Sequence, residues 1–167
     1  MEVFDVQLGE GVEWALHSCT VLATLPEGRT LPAARLAEFH GVPAAYLAKH
    51  LQALSQAGIV ESVAGRRGGY RLGRPAEAIS VLDVVEAVEG AEGSFRCREI
   101  RRRGPTASPA SNYRRPCRIT VAMERADAAW RAELAAQTIA GLVAEVTPAL
   151  TPVVVRKATA WLAEAVR

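Results

Sequence analysis

The sequence predicts a mainly α fold carrying one small β-hairpin, and three observations predict it. Two short helical patterns flank a break at Gly41, the second opening at Pro43. A β-branched alternation, a glycine-rich turn and a second short strand follow at once over residues 59–72. The longest helical pattern, rich in Ala and Leu, runs from residue 119 to 146. Helix, turn, helix and hairpin in that order make a winged helix-turn-helix. The long helix behind it has more apolar surface than a small winged domain can cover, which suits dimerisation. The expected organisation is residues 1–90 for an N-terminal helix and the winged unit, 91–118 for a cysteine-bearing loop, and 119–167 for a helical dimerisation region.

Each element has a local reason. Residues 9–25 read as a helix because Val12, Ala15, Leu16, Cys19, Leu22 and Ala23 share one face. Pro26-Glu27-Gly28 ends it. Residues 32–39 form a short helix with Pro32 near its first turn. Pro43 opens a third helix to about Ala57, with Leu47, Leu51 and Leu54 as a core stripe and Gly58 placed to terminate it. Ile59 to Val63 and Tyr70-Arg71-Leu72 are the strands, joined through Gly65-Arg66-Arg67-Gly68-Gly69. Ser80 caps a fourth helix that ends at Gly90, and Asp83 completes a capping box. Residues 91–117 are irregular, a length uncommon in a compact domain unless functional or disordered. Thr147-Pro148 interrupts the long helix, and a last helix spans 151–166.

Composition narrows the function classes. Half of the residues are hydrophobic, enough for a core, yet no apolar run approaches membrane-spanning length. The N-terminal stretch is acidic, so a secretory leader is not expected and a cytoplasmic location is. The net charge of +2 conceals an uneven distribution. Residues 29–74 carry seven Lys or Arg against two Glu, and residues 94–118 carry eight Arg against one Glu. Such asymmetry suits a polyanionic partner. No phosphate-binding glycine loop or nucleophile motif is present, so an enzyme is not expected.

In a helix-turn-helix the N-terminal half of the second helix meets the bases. Here it offers Ala44, Ala45, Tyr46, Ala48, Lys49 and His50. Lys49 suits a phosphate or guanine, Tyr46 a phosphate, and the small Ala side chains a thymine methyl. Arg66 and Arg67, flanked by glycines, can reach a minor groove. The blander reading is a solvated helix and turn. The expected partner is double-stranded operator DNA, with any contact to RNA polymerase indirect.

The motif Tyr46-Leu47-x-Lys49, Gly65 to Tyr70, Arg74-Pro75 and Leu82-Asp83-Val84-Val85 resembles the winged helix of the bacterial regulators that include IscR, NsrR and RsrR. The resemblance covers most of the chain, with helix, winged helix, cysteine loop and long helix in the family's order. It implies a homodimeric transcription regulator, often with a 2Fe–2S cluster. Pro43 departs from the family pattern, which commonly has Ser there, and so removes a cap and a phosphate-contacting hydroxyl. The three closely spaced loop cysteines of many members are also absent, since the loop holds only Cys97 and Cys117. The RsrR-type branch is similar instead, with a Glu-x-x-x-His pair on the first helix and two widely spaced cysteines. Here Glu13 and His17 fill that pair.

The ligand chemistry is consistent with that resemblance. Relative to Val12, Glu13 and His17 fall at about 100° and 140° on the helical wheel, flanking the core stripe and able to project together. Two irons with two bridging sulfides need four terminal ligands, which Cys97, Cys117, Glu13 and His17 would supply. Imidazole in place of thiolate raises the potential of such a cluster. Trp14 adjoins both helix ligands and would shield a cluster from water or simply fill the core. Other readings stay open for the same residues: a solvated Glu-His pair, a Cys97–Cys117 disulfide switch without metal, or zinc. Cys19 falls on the core stripe and reads as packing.

Overall fold

The computed structural model describes residues 8–66, 68–93 and 95–166. The chain forms two compact units. One is built from the stretch up to Gly90 together with the chain from Ala135 onward, and the other is Ala91–Leu134.

The first unit begins with α1 (Glu10–Ala23), α2 (Ala33–His40) and α3 (Ala44–Gln56). The leucines of α3 at 47, 51 and 54 point inward and are fully buried, because a spacing of four and three returns to one helix face. They meet Leu36 and Ala37 of α2 and Ala15, Cys19 and Leu22 of α1 in one cluster. Gly58 follows α3 at φ 68°, a left-handed conformation that costs glycine little. Strands β1 (Val60–Val63) and β2 (Gly69–Leu72) pair antiparallel, with Val60 opposite Leu72 and Val63 opposite Gly69. Tyr70 and Leu31 exchange both backbone hydrogen bonds at 2.9 Å, which ties the hairpin to the segment entering α2. A Cβ at Gly69 would stand 2.7 Å from the Leu31 carbonyl carbon, so this approach needs glycine. Helix α4 (Val81–Glu89) starts with the expected capping box. The Asp83 amide donates to Ser80 Oγ at 3.0 Å, and the Ser80 amide donates to Asp83 Oδ2 at 2.9 Å.

The long helix expected over 119–146 is two helices, α5 (Arg118–Ala136, 19 residues) and α6 (Ile139–Ala149). The break has a tertiary cause. The Val81 amide donates to the Gln137 carbonyl and the Ile139 amide to the Ile79 carbonyl, both at 2.9 Å, so residues 137–139 form an extended bridge. Thr138 then caps α6 by accepting from the Gly141 amide at 3.1 Å, and Ile139 is fully buried. Pro148 lies within the last turn of α6, which ends only at Ala149. Thr151 and Pro152 start α7 (Pro152–Ala165) as cap and first residue. Trp161 of α7 packs on Phe39 of α2 at 5.2 Å between ring centroids.

The second unit holds the irregular segment and most of α5. Short 3-10 turns at Ile100–Arg102 and Ala110–Tyr113 give the segment its shape. Among the described residues no helix is long and apolar enough to cross a membrane.

Ser80→Ala removes one half of the capping box and should cost about 1 kcal/mol. Urea unfolding reads this as a lower midpoint at unchanged slope, and an unmoved midpoint would show that the cap contributes nothing.

Candidate nucleic-acid interface and metal centre

With its leucines inside, α3 turns Ala44, Ala45, Tyr46 and Lys49 to solvent. Tyr46 is 65% exposed, unusual for an aromatic side chain. Gln52 continues the same exposed face toward the C-terminus. No side chain caps the helix start, as Pro43 dictates. In the wing, Gly65 and Arg66 are exposed; Arg67 lies outside the described residues. His50 does not share the outward face. Its half-buried ring is turned onto α1, beside Gly11 and edge-on to Trp14.

The formal count of basic residues overstates the free positive charge. Arg71 pairs with Glu61 across the hairpin at 2.9 Å, and Arg74 with Asp83 at 3.6 Å. Arg35 pairs with Glu38, and its guanidinium lies 4.5 Å from the Trp161 ring centroid. Such exposed pairs contribute little to stability.

On α1, Glu13 and His17 are exposed, one turn apart, and line the same groove of about 740 Å3 with Leu8, Leu16, Leu142 and Val146. His17 also faces His40 of α2 at 5.9 Å between ring centroids. Burial, and then the charge of His17, hold the His40 imidazole below its ordinary pKa. Its Nε2 is buried and makes no hydrogen bond among the described residues. Spacing alone could not reveal this neighbour, because the fold brings α2 to α1. Trp14 is half-buried between His50 and the core.

In the second unit the cysteine loop is organised by Arg101 and Tyr113, neither of which sequence reasoning singled out as a pair. The Tyr113 hydroxyl donates to the Arg101 carbonyl at 2.6 Å and accepts from the Ser108 amide at 2.9 Å. The Arg101 guanidinium lies 5.2 Å from the Tyr113 ring centroid, holds Glu99 with two hydrogen bonds, and donates to the Arg115 carbonyl. The Glu99 amide lies 3.4 Å from the Cys97 sulfur. Cys97 is exposed, Cys117 half-buried, and both thiols are free. The amides of Thr120 and Ile119 at the start of α5 point at Cys117 and, with Arg101, hold its thiol below the ordinary range. Glu99 first, and then the nearby Cys117 and Cys97 sulfurs, keep Arg101 firmly protonated. Cys19 is the opposite case: burial pushes its thiol up to about 12.

The four donors therefore come as two pairs, one in each unit. Among the described residues no three His, Cys, Asp or Glu side chains converge as a metal site. Each pair alone offers half of what a four-ligand centre requires.

Comparison with known proteins settles the family. Residues 8–145 match Rrf2, described as iron-dependent transcriptional regulator. The chain belongs to the Rrf2 family. Members are DNA-binding transcription regulators and not enzymes. Among similar solved structures, CymR, the global cysteine regulator of B. subtilis, is 21% identical with a TM-score of 0.64, covering 84% of this chain and 98% of its own. IscR of T. potens is 20% identical with a TM-score of 0.65, over 87% and 92%. The oxidized form of Staphylococcus aureus CymR is 24% identical with a TM-score of 0.58, over 83% and 96%. At these identities the likeness establishes the winged-helix fold.

A thiol reagent at pH 8 should label two cysteines in the folded protein and the third, Cys19, only after unfolding. Labelling of Cys117 should persist at pH values where an ordinary thiol is protonated, since its folded pKa is lowered, and should lose that advantage in denaturant. Native labelling of all three would contradict the burial of Cys19.

Proposed function

We infer that this Rrf2 regulator binds operator DNA through α3 and the wing, and that the redox state of a 2Fe–2S cluster controls the binding. The observation that carries the reading is the sorting of the donors: two thiols flanking Arg101, and a carboxylate and an imidazole sharing one groove. In a homodimer, Cys97 and Cys117 of one protomer and Glu13 and His17 of its partner would complete a four-ligand set of the RsrR type. When bound, the cluster supplies one-electron chemistry at a potential raised by the imidazole ligand. As a ligand through one ring nitrogen, His17 would keep the other free to hold a proton, an option that a thiolate ligand lacks. The Arg101 guanidinium offsets the negative charge of the thiolates. Trp14, which packs against His50 and the core, would limit water on that side of α1. On the DNA side, Tyr46, Lys49, Arg66 and Arg67 supply phosphate or guanine contacts, and Ala44 and Ala45 allow close approach.

A second reading dispenses with metal: a two-electron oxidant such as a peroxide takes up the two electrons and two thiol protons as Cys97 and Cys117 form a reversible disulfide. The acidified thiol of Cys117 favours it, because a thiolate is the attacking species. The existence of an oxidized form of S. aureus CymR points the same way within the family.

Purification without oxygen, with a visible spectrum and iron and sulfide assays, separates the two. About two iron and two sulfide per protomer, with bands reversibly bleached by dithionite, support the cluster. A colourless protein after anaerobic reconstitution, with a disulfide on non-reducing gels, supports the switch. Glu13→Ala and His17→Ala should each shift the absorbance and potential; unchanged spectra in both would remove these residues from the site. Lys49→Ala and Arg67→Ala should each weaken operator binding and lower the salt slope by about 1. An unaffected slope would show that the residue does not meet phosphate.

A further inference from the structure

His50 stands on the recognition helix yet is engaged elsewhere. A Cβ at Gly11 would lie 2.3 Å from His50 Cε1, 2.5 Å from Nε2 and 2.9 Å from Nδ1. The imidazole therefore occupies the space that any side chain at position 11 would need. Trp14 closes the seat from the next turn of α1, its ring centroid 6.1 Å from that of His50 at an interplanar angle of 80°. Gly11 is buried and Trp14 packs against the core. The start of α1 is also fixed from behind, because the Gly9 amide donates to Glu89 Oε1 of α4 at 3.1 Å.

Helix α1 thus presents Glu13 and His17 to the groove and grips α3 through Gly11 and Trp14, all within two turns. Close-packed contacts of this kind transmit a displacement instead of absorbing it. His50 follows Lys49 directly, so a shift of the ring moves the outward face of α3 with it. We propose that His50 is a positioning residue: seated on Gly11 and against Trp14, it couples the state of the Glu13–His17 pair on α1 to the orientation of the recognition helix. This rests on the reading of α1 as the cofactor-bearing helix. It assigns His50 to regulation and leaves base contact to its neighbours.

Two measurements on the full chain test it. In the cluster-free protein, Gly11→Ala should be destabilising in urea, and the loss should vanish in a His50→Ala background, where Ala is the better helix former. An equal loss in both backgrounds overturns the seat and the proposal with it. The second measurement is anaerobic binding to a duplex enriched from a randomised library by the wild-type protein. The wild type should differ about tenfold or more between its oxidised and reduced states. His50→Ala should bring that ratio to within about twofold of one while the visible absorbance stays unchanged, and His50→Phe, which keeps a planar ring, should restore it. Gly11→Ala displaces the ring without deleting it, should lose the ratio equally, and serves where His50→Ala does not fold. A wild-type ratio in His50→Ala, or an equal loss of affinity in both states, overturns the proposal and leaves redox control standing. No difference between states in the wild type overturns both.

Discussion

Two backbone hydrogen bonds hold the first unit closed: Val81 amide to Gln137 carbonyl, and Ile139 amide to Ile79 carbonyl. They join the entry to α4 to a point almost sixty residues later in the chain. Around them, Ile79 and Ile139 bury completely, and Ser80 and Thr138 each cap the helix that follows. The bridge adds to side-chain packing that also places α6 and α7 on the core shared by α1, α2 and α3, through Ile139, Leu142, Trp161 and Ala165. Between the two ends of the bridge the chain makes an excursion, Ala91–Leu134, that forms a compact unit of its own.

The excursion has its own order. None of its described residues is among the buried core side chains, and Arg101 ties it together by pairing with Glu99, stacking on Tyr113 and reaching the Arg115 carbonyl. A segment rich in like charges repels itself, so one guanidinium engaged on several sides offsets that tendency. The same group adds to the amides of Thr120 and Ile119 in lowering the pKa of Cys117, linking the shape of the segment to the reactivity of that thiol.

What could be read from the sequence followed from local rules. The leucine spacing of α3, the terminating Gly58 and the Ser80–Asp83 capping box each depend on residues within a few positions, and each is present. Glu13 and His17 meet in one groove for the same reason. The break at residues 137–138 was hidden, because the surrounding Ala and Leu favour helix and the force that opens it comes from the distant strand-like pairing with Ile79–Val81. The orientation of His50 was hidden too, since it depends on a missing side chain at Gly11, on another helix. The acidity of Cys117 arises from amides at the start of α5 and from Arg101, an arrangement no spacing rule encodes.

Pro43 at the start of α3 has a thermodynamic consequence. A serine cap would satisfy a backbone amide in the folded chain and contribute about 1 kcal/mol there. Proline acts on the other side of the equilibrium, narrowing the unfolded ensemble by about 0.4–1 kcal/mol. The two choices leave overall stability nearly equal but differ in what they expose. Tyr46 and Leu47 donate back to the Pro43 carbonyl, whereas Ala44 and Ala45 precede any such partner. The helix end is thus stiff, and among the described residues no side chain caps it, so the positive pole at the first turn of α3 keeps its full strength.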